Sequence, residues 1–437
     1  MLKLFKYIIG VSFFVGISHV SIAQVPAPGT KQEKPIAIMN AVAHLGTGEV
    51  IQNSVITFAD GKLTNVADAT VIRLDLSQYE VINAEGMHAY PGLIASNTIV
   101  GLEEIAAVRS TRDQAETGDF NPNVRALIAY NTDSEIIPTT RFNGILYAQT
   151  TPRSGRISGS SSVMDLDAWN WEDGVLKADE GIHLNWPTKL LSPRWWTGET
   201  EWRENKKYDE QYTEVEKFFK DAASYNNISQ PEVTNLKMEA MKGLFDGSKS
   251  LYIHTDRAKE IVESVKFAQR MGVSKIVVVG AGQAFYVKDF LKDNDIAVIL
   301  EDTHRLPDRT ADEVDLPYKL PFLLKEAGLK VAIGQWDEVM KVRNLPFGAG
   351  TAAAYGLGKE EALKMVTLNP AEIMGVSDKI GSLEVGKIAS IVVSEGDLLD
   401  MKSNKLAYVF IEGRRVTLEA HQQRLYQKFK DKYENQK

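Results

Sequence analysis

The sequence contains no cysteine. That absence excludes disulfides, thiolate zinc sites, a cysteine nucleophile and a lipidated N-terminal cysteine. Basic charge is also in short supply. There are 50 Lys and Arg against 58 Asp and Glu, a formal charge of −8, which argues against a nucleic-acid partner. No block of like charges marks an interaction tail. No apolar run beyond Ala23 is long enough to cross a bilayer. Two familiar catalytic texts are missing as well. Ser158 in "GRISGSSS" (Gly155–Ser162) is not framed as GxSxG, so no nucleophile elbow is supported, and the stretch reads as a flexible loop. "GAGQAF" (Gly280–Phe285) mimics a dinucleotide loop, but Phe285 fills the third glycine position and no βαβ pair opens the domain.

What is present is an ordinary globular composition, 44% hydrophobic and 25% charged, in a chain of 437 residues. That length accommodates one large barrel plus an accessory unit. Lys3 and Lys6 precede the apolar run Tyr7–Ile17, and the small residues Ser21 and Ala23 follow it. This is the pattern of a secretory signal peptide covering residues 1–23, and it predicts export to a periplasm with no membrane span after cleavage. Residues 24–35, containing "VPAPGTKQEKP", read as a proline-rich linker.

From Ile36 to residue 90 the text is short strands and turns, with Asp60-Gly61 as a hairpin signal. From Pro91 to residue 375 the rhythm changes. Continuous apolar runs such as "GILYAQTTP" (Gly144–Pro152), "LYIHTD" (Leu251–Asp256), "KIVVVGAG" (Lys275–Gly282), "AVILED" (Ala297–Asp302) and "KVAIGQ" (Lys330–Gln335) alternate with helical segments. Such runs suit parallel strands covered on both faces, and the alternation predicts an α/β fold, a (β/α)8 TIM-like barrel. An insertion over 188–247 interrupts it. Within it Val215, Phe218, Phe219 and Ala222 recur at helical spacing, as in an amphipathic helix. Residues 376–418 return to β text and 419–437 form a charged helix. The N- and C-terminal β pieces are expected to pair in a small composite β-sandwich.

"AYPGLI", "VTLNPAEIMGV", "IGSLEVGKIASIVV" and "VFIEGRRV" together resemble the amidohydrolase superfamily, and within it the imidazolonepropionase-like group. The resemblance spans nearly all of the chain beyond the signal segment. It implies a metal-dependent barrel that hydrolyses C–N bonds of amides or cyclic ureides. In active relatives "PGLI" is followed by Asp-x-His-x-His, whose histidines bind the metal at the first strand's end. Here Ala95, Asn97 and Ile99 stand there, and neither Asn nor Ile is a useful ligand for a transition metal. The fifth-strand histidine is matched by His254. Gly282 falls where the sixth-strand histidine belongs, and the eighth-strand aspartate is matched late, by Asp337, the candidate catalytic residue.

A catalytic zinc needs about three protein ligands besides its water, whose pKa it lowers to roughly 7. His254 with Asp302, His304 and Asp337 would make an alternative one-metal site. Arg125 and Arg141, in the polar region after the first strand, and His183 are candidates for binding substrate. Two functions follow. One is an exported C–N hydrolase with one divalent metal, such as zinc. The other is an inactive, metal-free homologue that binds a small molecule, or pairs with an active amidohydrolase paralogue and stabilises it.

Overall fold

The structure is a computed structural model that describes residues 27–435 except 308, 310, 336 and 337. The expected signal segment and Asp337 therefore lie outside the described residues. The described chain starts with β1 (Ile36–His44), β2 (Val50–Ala59), β3 (Lys62–Asp68), β4 (Glu80–Asn83) and β5 (His88–Pro91). Asp60 and Gly61 both take positive φ (49° and 75°), the turn that matches strand twist, so β2 and β3 pair antiparallel around them.

The chain then enters β6 (Leu93–Thr98), β7 (Ile145–Thr150), β8 (Ile157–Asp165) and β9 (Val175–Asn185). A two-stranded ribbon follows, β10 (Leu190–Leu191) with β11 (Arg203–Glu204). Next come β12 (Ser250–Thr255), β13 (Ile276–Gly280), β14 (Ala297–Leu300) and β15 (Val331–Ile333). Leaving the ribbon aside, these form one sheet in chain order from β6 to β15, and a parallel bridge between Ser96 and Gly334 closes it into a barrel. A Cβ on Gly334 would lie 2.8 Å from Ile299 and 3.1 Å from the Ser96 carbonyl, so the seam needs a glycine.

Two features differ from the expected eight βα units. β8 runs antiparallel to both β7 and β9, so no crossover helix separates the second, third and fourth barrel strands. And "GRISGSSS" is no flexible loop: Ile157 to Ser162 are buried in β8. Its small side chains let neighbouring elements close in, and its hydroxyls find buried partners, as with Ser160 Oγ on the Pro122 carbonyl.

The last strands are β16 (Ile391–Ser394), β17 (Leu406–Ile411) and β18 (Arg414–Arg415). β16 pairs antiparallel with β5, which joins the two ends of the chain as expected. The unit is one eight-stranded sheet rather than two stacked ones. It curls until Lys62 bridges Ile388, around a core that includes Ile38, Ile56, Phe58, Ile391 and Phe410. The main core lies between the barrel wall and its helices. Each large apolar side chain fully buried there contributes roughly 1.5–3 kcal/mol. The inserted helix Tyr208–Asn226 buries Val215, Phe219 and Ala222, with the Phe219 ring edge-on to Phe267 at 5.3 Å. The terminal helix His421–Glu434 docks through Arg424 to Glu135 at 2.6 Å.

Candidate functional site

Strand alternation sends every second side chain inward. Tyr252, Val277, Val279, Ile299 and Ala332 form one apolar cluster. Toward the mouth the inward positions turn polar. Asn97 sits there with φ of 53°, a left-handed conformation that Asn tolerates better than most residues. Its amide donates to Gln149 Oε1 at 2.9 Å, and Gln149 Nε2 donates to Glu180 Oε1 at 2.7 Å. Glu180 also accepts from Ser161 Oγ and from the Tyr252 hydroxyl, at 2.5 and 2.7 Å. Burial pushes the Glu180 carboxyl up, and these hydrogen bonds oppose the shift.

The polar chain continues to two histidines. His183 Nε2 lies 2.8 Å from Ser161 Oγ, and His183 Nδ1 lies 2.8 Å from His254 Nε2. With Glu180 as a carboxylate the hydrogens have one direction: Ser161 gives to Glu180, His183 Nε2–H gives to Ser161, and His254 Nε2–H gives to His183. The His183 ring stacks on Tyr252 at 4.7 Å, a contact made possible by Gly181, where a Cβ would meet the Tyr252 ring at 2.2 Å. Loss of hydration pushes both imidazoles well below their ordinary value, and the positive charge of Arg153 adds to the effect.

Arg153 enters from the short connection between β7 and β8. Its Nη1 donates to Asn97 Oδ1 at 2.9 Å and its Nη2 to the Asn97 carbonyl at 2.7 Å. Burial lowers the guanidinium to about 9, with Glu301 opposing, so it is cationic at neutral pH. Ile99 is buried in the main apolar cluster.

Beside this network a cavity of about 640 Å³ opens between the mouth and the inserted ribbon. His254 and Asp256 line its floor, and Leu190, Leu191 and Trp202 line its roof. Arg257 places its guanidinium over the Trp202 ring at 4.5 Å. Glu260 anchors the base of the ribbon, accepting from the Lys189 amide at 2.8 Å and from Thr188 Oγ1 at 3.0 Å.

The residues expected from the sequence are scattered. His183 and His254 meet as hydrogen-bond partners. Asp302 accepts from the His304 amide, while the exposed His304 ring turns to Thr351 Oγ1 at 2.6 Å and lines a different cavity. The relocated ligand set is therefore not assembled: among the described residues no group of three His, Cys, Asp or Glu stands close enough to hold a metal ion. The first-strand tip does not fit one either, because Asn97 offers only an amide oxygen that already accepts from a guanidinium, and His254 on β12, whose Nε2 serves His183, adds one coordinating nitrogen. The Gly282 amide donates to Asp256 Oδ1. Arg125 is no mouth residue: it pairs with Asp179 at 2.7 Å. Nor is Arg141, which is buried at the opposite end of the barrel against Asp167, because the helix Ile136–Arg141 that carries it leads back into the start of β7. Sequence reasoning missed Gln149, Arg153, Ser161 and Glu180. The one available cue was that Gln149 and Arg153 flank the tip of a strand already recognised.

The fold is a TIM-like barrel with a terminal accessory sheet. Residues 319–416 match the model of the amidohydrolase family. Over 86 residues, 19% of this chain, the sequence is 33% identical to an adenine deaminase from Rubrobacter xylanophilus, and the match spans 14% of that relative's length. An amidohydrolase from Thermotoga maritima is similar in structure with a TM-score of 0.74, at 22% identity over 87% of this chain and 99% of its own. A putative prolidase from Bifidobacterium longum gives 0.51, at 16% identity over 88% and 94%. An adenosine deaminase from Xanthomonas campestris, with bound zinc, gives 0.51, at 15% identity over 90% and 95%. At these identities the structural likenesses speak to the fold. By sequence, the match to the amidohydrolase family is confined to residues 319–416, the last part of the barrel and of the terminal sheet.

Proposed function

We propose that this protein is exported and binds a small molecule in the cavity beneath the ribbon, at a barrel mouth whose family metal site is degenerate. The observation that carries the reading is the clamp of Arg153 on Asn97, which fills the first-strand tip with a guanidinium. The cavity walls supply both signs of charge, from Asp256 and Arg257, together with indole surface from Trp202. That combination suits a flat, polar, uncharged molecule such as a cyclic amide or ureide, the compound class that the "GSLEVGK" text and its imidazolonepropionase-like flavour favour. Association with an active amidohydrolase paralogue belongs to the same reading.

The second reading is a C–N hydrolase that takes a divalent metal such as zinc. His254 on the cavity floor and the amidohydrolase match over 319–416 favour it. Calorimetry of the purified chain against cyclic amides and ureides separates the two. Binding weakened about tenfold or more by Trp202→Ala, with no turnover at added Zn²⁺, supports the first reading. Zinc-dependent turnover abolished by His254→Ala supports the second and sinks the first.

A further inference from the structure

Arg153 occupies a particular place. It reaches the mouth from the connection Thr151–Arg156, and two of its hydrogen bonds land on Asn97, one on the side-chain oxygen and one on the main-chain carbonyl. A planar guanidinium held through two nitrogens by one residue is fixed in orientation as well as position. The connection itself is pinned, since residue 153 forms a bridge with Ala115 and the Arg156 amide donates to the Asp119 carbonyl. Glu301, directly after β14, favours the charge. Asn97, the residue in the place of a lost histidine ligand, has thus become the acceptor for an organic cation.

We infer that the Arg153 guanidinium is the resident cation of this barrel: it ties the first-strand tip in place of a metal ion and keeps divalent ions out. The inference rests on the degenerate metal site proposed above and assigns its cause to one residue. A fixed positive charge repels a second cation, and the tip offers it only amide oxygens already facing a guanidinium, which are poor ligands for a transition metal.

The test uses the full exported chain and Co²⁺ as the probe, read by its visible absorption and by metal content after equilibrium dialysis. Three proteins are compared: the native chain, Asn97→His with Ile99→His, and that double variant with Arg153→Ala added. The native chain and the double variant should hold less than about 0.1 equivalent, while the triple variant, with three imidazoles counting His254, should hold at least about tenfold more. Metal in the native chain overturns both this inference and the reading beneath it. Metal in the double variant, with Arg153 intact, overturns the inference alone, as does a folded triple variant that stays empty. A measurement on the native chain keeps the inference open to refutation if the triple variant does not fold. The Arg153 Nη proton resonances should be untouched by excess Co²⁺, and paramagnetic broadening of those signals overturns the inference.

Discussion

Tyr147 Oη lies 2.5 Å from Ser390 Oγ, joining barrel strand β7 to the residue ahead of β16. Both side chains are buried, so this bond stitches the barrel to the terminal sheet. Tyr147→Phe strands the serine hydroxyl and should cost about 1–3 kcal/mol in urea unfolding. Adding Ser390→Ala removes the orphan, so the double variant should lose less than the sum of the two single ones. Strict additivity would show that the contact carries no coupling.

Asn97 combines a left-handed backbone with an acceptor for Arg153. Asn97→Gly removes only the acceptor, whereas Asn97→Ala also adds the backbone cost, on the order of 1–2 kcal/mol. Alanine should therefore be the more damaging of the two in chemical denaturation. Equal losses would mean that the backbone conformation is unimportant.

His183 and His254 are pushed well below the ordinary imidazole value of 6.5, chiefly by burial. The folded state thus prefers them neutral, while the unfolded chain takes up protons near 6.5. Stability should be full above that value and fall as the pH drops below it, with protons taken up on unfolding. His183→Gln should flatten part of the decline. A native unfolding free energy that is level from pH 7.5 to 5 contradicts this placement of the rings.

Burial raises Asp165 to about 8, against the pull of Arg414. The sign is opposite to the histidines. Its contribution is complete below the unfolded value of 3.8 and is lost as pH rises through about 8, at up to about 1.4 kcal/mol per pH unit. Asp165→Asn keeps a neutral acceptor for the Asp167 amide. Its stability curve should gain on the native one between pH 4 and 8, and parallel curves would refute the shift.

Much of the scaffold was legible because its signals are local. Strands β12 to β15 are short apolar runs because both faces are covered, and Asp60-Gly61 names its own turn. The pairing of the chain ends followed from β text flanking the barrel. β8 was illegible: small polar residues look like a loop until their hydroxyls find partners such as Glu180, 19 residues away from Ser161. The site was half legible. Asn97 and His254, marked by the resemblance, and His183, marked by its strand-like surroundings, are members of the buried network at the mouth. Arg153 gave no such cue, because its partner lies 56 residues earlier and nothing beside Pro152 announces a buried cation.

The reversed direction of β8 has its own consequence for how a guest is received. After β7 the chain turns back at the rim instead of leaving along the outer wall, so the segment bearing Arg153 is bounded by strands at both ends. A rim loop that feeds a helix has slack to fold over its cargo. This one does not, and an incoming molecule must accommodate itself to a charge already in position.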